Sequence, residues 1–312
     1  MIKTIFNLSI VLASLSLFSA CSPTSHPGAV AKLGVSSSQE KMIALLDQVG
    51  PVELQTIVAA DWQVPLSGLL NLKHEKAQQA GLSDKPEAIQ IYSHLLRHPE
   101  HGTFLIDSGV AAAVLDENNP AHPGYILHQA MRLDDMKLRT STATILKRDP
   151  GMLNGVFLTH LHWDHISGLP DVPVSVPIYI GPGEIEERVF KHAFTQASTD
   201  HLLANRPALQ VWNFSASAQA GELQVVDIFA DGSVFAIRSP GHTAGSVAYL
   251  VRTTTGPVLL LGDTCHTRWG WQNQVEPGDF TTDHHSNAES LHKLYQLVQA
   301  HPAIKVRLGH QE

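Results

Sequence analysis

The sequence predicts an α/β fold. Two observations carry that reading: short apolar runs of strand-like composition recur along the chain, and helix-spaced amphipathic stretches lie between them. A third is positional, because several of the apolar runs stop on a histidine or an aspartate. In chain order, Ser37-Ser38-Gln39-Glu40 opens a short helix expected to reach Val49, with Met42, Leu45, Leu46 and Val49 on one side. Alternation in Val52-Glu53-Leu54-Gln55-Thr56-Ile57-Val58 marks a first strand. Gly102-Thr103-Phe104-Leu105-Ile106 is a second, closed by the turn-forming Asp107-Ser108-Gly109. Gly155-Val156-Phe157-Leu158 is a short buried strand, and residues 184–209 are polar with helical spacing, His192 and His201 included. Val234-Phe235-Ala236-Ile237 and Leu259-Leu260-Leu261 are further strands. Ser286-Asn287-Ala288-Glu289 caps a helix whose Leu291, Leu294, Tyr295 and Val298 share one face and which Pro302 stops. Ile304-Lys305-Val306-Arg307-Leu308 is a last strand, and no internal repeat is evident.

Three segments divide the chain. Met1-Ile2-Lys3 is a short basic start, residues 5–18 are largely apolar, and Ser19-Ala20-Cys21 ends the stretch with small residues. That core is too short for a comfortable membrane span, so residues 1–20 read as a signal peptide. Cys21 makes it resemble a bacterial lipoprotein signal, cleaved before a cysteine that then carries lipid. Ser22 beside it points to the outer membrane of a Gram-negative envelope, with a secreted or periplasmic soluble protein as the alternative. Residues 21–38, rich in Pro, Ser, Gly and Ala, are expected to form a flexible tether, and residues 39–312 the folded domain. With Cys21 acylated, Cys265 has no partner, so no internal disulfide is expected; Cys265 reads as a small apolar filler rather than a ligand.

Composition bounds the function. At 312 residues and 43% hydrophobic, the chain can bury one large core. A net charge of −8 without a lysine or arginine run argues against a nucleic-acid partner. The nineteen histidines are the departure from the ordinary, and five of them fall where strands end.

Three of those five lie in His160-Leu161-His162-Trp163-Asp164-His165. On an extended backbone His160 and His162 face the same way and can bind one ion, while Asp164 and His165 follow in a turn and can reach a second. Downstream, His242 sits in Pro240-Gly241-His242-Thr243-Ala244-Gly245, Asp263 ends an apolar strand, and His310 follows Gly309. A strand end offers both a rigid support and an open coordination position. Five His and two Asp are enough for two divalent ions, with Asp263 bridging and a hydroxide between them.

This ligand series, in order, resembles the metallo-β-lactamase superfamily from about residue 50 to the end. The resemblance implies a four-layer αβ/βα sandwich. It implies that His160, His162 and His242 hold one metal, that Asp164, His165 and His310 hold the other, and that Asp263 bridges. Zinc is the expected ion. The bridging Asp separates the chain from the true β-lactamases and places it with N-acyl-homoserine lactonases, organophosphate hydrolases and glyoxalase II-type thioesterases. Gly262-Asp263-Thr264-Cys265-His266 resembles the lactonase loop, but lactonases of that group carry a Tyr where this chain has His266. His266 is therefore the expected donor to the substrate, and Asp164 the proton shuttle to the leaving group.

The implied reaction is hydrolysis of an ester-like bond, foremost a lactone, with aryl-ester, phosphotriester or thioester hydrolysis as alternatives. A single-iron persulfide dioxygenase of the same superfamily is a more distant one. Trp163, Trp269, Trp271 and Phe280 cluster in sequence around the ligands and predict an apolar pocket wall. The 184–209 insert is expected near the mouth of that pocket. His284 and His285 read as the solvated lead-in to the last helix. No Gly-x-Ser-x-Gly elbow and no phosphate loop is present, and Gly181-Pro182-Gly183 lacks the third glycine of a dinucleotide fingerprint.

Overall fold

Alternation of side chains along the central strands sorts the apolar residues into three layers of core. In the computed structural model, which describes residues 21–148, 151–214 and 221–312, the first strands are β1 (Gly28–Val30), β2 (Val35–Ser37), β3 (Glu53–Pro65) and β4 (Pro86–His98). Then follow β5 (Gly102–Ile106), β6 (Lys137–Leu138), β7 (Leu153–Phe157), β8 (Ile178–Ile180) and β9 (Leu209–Val211). The chain continues through β10 (Val225–Asp227), β11 (Val234–Arg238), β12 (Val247–Thr253), β13 (Gly256–Leu260) and β14 (Lys305–Arg307). They form an eight-stranded sheet, β1-β9-β8-β7-β5-β4-β3-β6, and a six-stranded sheet, β14-β13-β12-β11-β10-β2. The signal-peptide reading of residues 1–20 lies outside the described residues.

Phe104, Ile106 and Phe157 of the first sheet meet Val234, Ala236, Tyr249 and Val251 of the second in the central core. Their neighbours along the strands point the other way. Leu105 and Val156 pack outward with Val114, Ile145, Ile166 and Leu202. Phe235, Ile237 and Leu250 pack outward with Leu291, Leu294 and Leu297 of the His284–Ala300 helix. A period of two on each strand thus gives helix, sheet, sheet, helix, the αβ/βα sandwich.

Several boundaries differ from the sequence reading. The first helix is only Gln39–Ile43, capped by Ser38, and Val49 is exposed. The first predicted strand runs on to Pro65 through a bulge near Ala60. The last helix begins at His284, capped by Asp283 rather than Ser286, because the Asp283 side chain accepts from Ser286 N. The polar 184–209 segment contains the His192–Leu202 helix.

The tether expectation is the main correction. Residues 28–30 pair in parallel with β9, and residues 35–37 pair antiparallel with β10, so the segment adds an edge strand to each sheet. Thr24 and Ser25 are tied to Asp200, with Ser25 N donating to its carboxylate at 2.7 Å. Backbone pairing, which any sequence can supply, outweighs a tether-like composition here. A chain lacking residues 22–37 should therefore melt lower than the full chain in calorimetry. A fall of at least about 2–4 °C is expected, the size of a 1 kcal/mol loss in a domain of this class. An unchanged melting temperature would return the segment to a passive role.

Candidate metal centre

Five strand ends deliver the site. His160 follows β7, His242 follows β11, Asp263 follows β13 and His310 follows β14. Asp107 follows β5, the parallel neighbour of β7. After His162 the chain makes one helical turn, Trp163–Ile166, which swings Asp164 and His165 away from His160 and His162. The result is two groups of four. His160, His162, His242 and Asp263 bring ligand atoms within 4.8 Å of one another, and so do Asp164, His165, Asp263 and His310. All seven residues singled out in the sequence converge, with Asp263 in both groups.

Asp263 Oδ2 is the hub. It lies 3.7 Å from His160 Nε2, 3.4 Å from His242 Nε2, and 3.3 Å from both His165 Nε2 and His310 Nε2. Outside this ring, each imidazole is fixed by its other nitrogen. His310 Nδ1 donates to the Gln90 carbonyl at 2.9 Å, and His165 Nδ1 to Asp107 Oδ2 at 2.8 Å. Thr159 Oγ1 donates to Asp107, so it can accept from His160 Nδ1 at 3.1 Å. His242 Nδ1 meets Thr281 Oγ1 at 3.2 Å. With Nδ1 engaged outward, the Nε2 lone pairs aim at the centre.

Those lone pairs test the fit of a cation. Buried His160 Nε2, His165 Nε2 and Asp263 Oδ1 have no hydrogen-bond partner, and His162 Nδ1 faces His242 Nε2 at 2.8 Å. Burial, reinforced by neighbouring imidazoles, holds His160 and His242 well below the usual histidine range; burial and Lys191 do the same for His162. Three neutral imidazoles with converging lone pairs beside a carboxylate suit a divalent ion. In the second group burial opposes protonation, yet Asp263 and Asp164 lift His310 to about 10, and Asp263 and Asp107 lift His165 well above its ordinary value. There, positive charge is wanted strongly enough that protons are held where a cation fits.

A model of the Metallo-beta-lactamase superfamily matches residues 87–310, which contain both groups of four. The chain belongs to the metallo-beta-lactamase superfamily. An N-acyl homoserine lactonase, AttM, of Azorhizobium caulinodans is 30% identical over 224 residues, covering 69% of this chain and 80% of that one. Among solved structures, a mutant of B. thuringiensis AiiA with N-decanoyl-L-homoserine bound at its active site aligns with a TM-score of 0.59 at 20% identity, covering 85% of this chain and 94% of that one. AidC, a dizinc quorum-quenching lactonase in complex with a product, aligns with a TM-score of 0.54 at 14% identity over 89% of this chain and 91% of that one. The protein is a metallo-hydrolase resembling lactonases, and its two His and Asp groups have the make-up and spacing to hold divalent metal ions.

Within this superfamily scaffold, two supports were not legible beforehand. Glu184, after β8, accepts from Leu161 N at 2.7 Å, Thr243 Oγ1 at 2.6 Å and Gly245 N at 3.1 Å. One buried carboxyl thus ties the loop of His160 and His162 to the loop of His242, and burial pushes it up to about 7 despite three donors. Asp107 was read as a turn-former. It does hold the turn, at φ 55°, but its carboxylate also accepts from Thr159 N and orients His165. Gly309 is required next to His310, because a Cβ there would lie 2.3 Å from Asp263 Oδ1.

His266 is corrected. Its Nδ1 donates to the Leu69 carbonyl at 3.1 Å and its Nε2 lies 3.0 Å from Asp263 Oδ2, the hub oxygen, so it holds Asp263 from beside His242 and His310. Buried, with both ring nitrogens engaged by protein atoms, it has no free N–H to offer a substrate in this arrangement. Cys265 is buried and free, and burial raises its thiol to about 12, in keeping with a filler role. His284 and His285 form the first turn of the last helix, and His285 pairs with Glu289.

The centre opens on a cavity of about 330 Å³. His162, Asp164, His242, Asp263 and His310 reach it, and Trp62, Val64, Leu69, Ile89, Met131, Trp163 and Phe280 line it. Of the aromatics expected there, Trp163 and Phe280 contribute, while Trp269 and Trp271 pack against core instead. Trp62, far away in sequence, was missed. A larger polar groove of about 830 Å³ touches the centre only through His310. His98, His101 and Asp231 also lie close together, but His98 Nδ1 accepts from the backbone N–H groups of Glu100 and His101, leaving Nε2 to donate to Asp231 at 2.9 Å. That ring has no lone pair left for an ion.

The charge pattern predicts how the metal-free protein responds to pH. His310, lifted from about 6.5 unfolded to about 10 folded, contributes stability that is complete below about pH 6.5 and is lost as pH rises through about 10. Urea unfolding in a chelator should therefore give a lower midpoint at pH 9.5 than at pH 6.5. An equal or higher midpoint would contradict this account of the second group.

Proposed function

We propose that the protein hydrolyses a lactone carrying an apolar substituent, of the N-acyl-homoserine kind, with two zinc ions in the centre. His160, His162 and His242 would hold one ion, Asp164, His165 and His310 the other, and Asp263 both. The observation that carries this reading is the sharing of one buried carboxylate by two groups of imidazoles at the floor of an apolar-walled cavity. Imidazole with carboxylate suits zinc. Bound in such a pair, the ions supply Lewis-acid polarisation of a carbonyl and acidification of water.

The chain supplies the rest. Trp62, Val64, Leu69, Ile89, Met131 and Phe280 offer an acyl chain apolar surface and keep water from the carbonyl. Asp164 has its side chain 15% exposed toward the cavity, with Oδ2 3.2 Å from His310 Nε2. In the metal-free protein burial opposes its ionisation, but protonated His165 and His310 hold it at about 2; with a cation in place of those protons it would likewise stay an ionised acceptor, able to take a proton and pass it to the leaving alkoxide. His266 holds Asp263 and Asp107 holds His165 in place. A persulfide dioxygenase with a single iron needs only two His and one Asp; the complete second group favours hydrolysis over it.

A screen of the metal-loaded protein against lactones, aryl esters, phosphotriesters and thioesters should show lactones turned over fastest, and no lactone turnover would overturn the reading. Asp263→Asn should cost more than the roughly 10–100-fold that outer contacts of a metal site are worth. Deleting the last three residues removes His310 and should halve the bound metal measured by elemental analysis. Unchanged content would remove His310 from the ligand set.

A further inference from the structure

We propose that the mouth of this cavity rests on a lipid bilayer, so that an amphiphilic substrate passes from the membrane interface into the site. Of the exposed large apolar side chains among the described residues, Tyr125, Ile126, Phe190, Phe194 and Phe280 lie on or beside the segments that line this cavity. Leu127, Ala130 and Met131 of the Tyr125–Met131 helix line the cavity, and the same helix leaves Tyr125 and Ile126 each 76% exposed. Lys191, His192 and Thr195 line it from the other side, where Phe190 and Phe194 are 59% and 58% exposed and stack edge-on at 5.5 Å. Phe280 lines the cavity while remaining 39% exposed. Apolar side chains gathered at a cavity rim mark an interaction surface rather than chance exposure.

The N-terminus identifies the occupant. Pro23 is itself part of the cavity wall, Ser22 accepts from Gln196, and the His192 ring hydrogen-bonds to the Cys21 backbone. The chain immediately before Cys21 is the apolar sequence of residues 5–18. Where that segment is retained, or Cys21 carries acyl chains in its place, the membrane-seeking group is joined to the domain at the cavity rim. An anchor there holds the same rim to the bilayer at almost no extra linker cost. Among the described residues no helix is long and apolar enough to cross a membrane. With a net charge of −8, the contact is made by apolar insertion of about 5–10 Å and does not need anionic lipid.

The proposal rests on the lactonase reading only for the identity of the substrate. It is tested on the full chain in phosphatidylcholine vesicles, with a polarity-sensitive fluorophore on Ile126→Cys, on Phe194→Cys and on Met152→Cys. Met152 is 80% exposed and precedes β7, at the opposite end of that strand from the metal centre. The unsubstituted chain, treated alike, gives the background from Cys21 and Cys265. Exposure at all three positions leaves the core untouched, and circular dichroism checks the fold. Labels at 126 and 194 should shift to shorter wavelength with vesicles and lose fluorescence to a nitroxide lipid, while the label at 152 does neither. Equal behaviour at all three positions overturns the proposal. So does a shift at 126 and 194 that follows protein concentration instead of lipid, since a second copy would then cover the face. No readout here needs turnover, so docking without lactone hydrolysis sinks the functional reading alone.

Discussion

The carboxylate of Asp263 sets the terms for the whole centre. It is buried, it stands within 4 Å of five imidazoles counting His266, and one of its oxygens has no partner at all. A charge so placed is costly unless matched, and removing the match leaves an uncompensated buried ion. Nothing in the apolar layers around it can supply the match. The positive charge must therefore come from protons on His165 and His310 or from cations, and the neutral trio His160, His162 and His242 can serve only cations. Metal binding and the integrity of this region are in that sense one property.

The sandwich is what allows one carboxylate to meet so many rings. Parallel pairing of β5 with β7, and of β13 with β14, brings successive strand ends to the same edge. A ligand contributed just past each end has its backbone held by the sheet and its side chain free to reach the centre. Outer contacts then remove the remaining freedom: Gln90 carbonyl for His310, Asp107 for His165, Leu69 carbonyl for His266. Glu184 acts one step further out, by locking two ligand loops to each other.

What could be read from the sequence, and what could not, follows from where the information lies. The ligands were legible because His and Asp at strand ends are chemically conspicuous and three of the five histidines fall within six residues. The layers were legible as α/β from periodicity, though the specific sandwich required the family resemblance. Strands β1 and β2 left no trace: each has three residues, mostly exposed, held by backbone pairing that does not depend on side-chain identity. Glu184 was invisible for another reason, since a single acid beside Gly-Pro-Gly looks like any solvated loop. Only the close approach of Gly181 to the Gly245 carbonyl, where a Cβ would lie at 2.0 Å, shows why that loop is built from glycine. His266 was noticed but misplaced, because one position in a motif says nothing about which way a ring turns.

Chemistry and selectivity occupy different kinds of structure here. The ligands hang from sheet ends fixed by strand pairing and by buried hydrogen bonds. The cavity wall draws instead on Trp62 and Val64 near the end of a long strand, the Tyr125–Met131 helix, the helix that follows Lys191, and Pro23. None of those segments supplies a member of the two ligand groups, so a change in the wall leaves the ligand set itself intact. A substitution at the ligand loop such as His266 in place of a lactonase tyrosine bears on how firmly Asp263 is held. Changes in the wall bear on which acyl or aryl group can lie against it. The reaction class is therefore read from the strand ends, and the substrate from the segments that close over them.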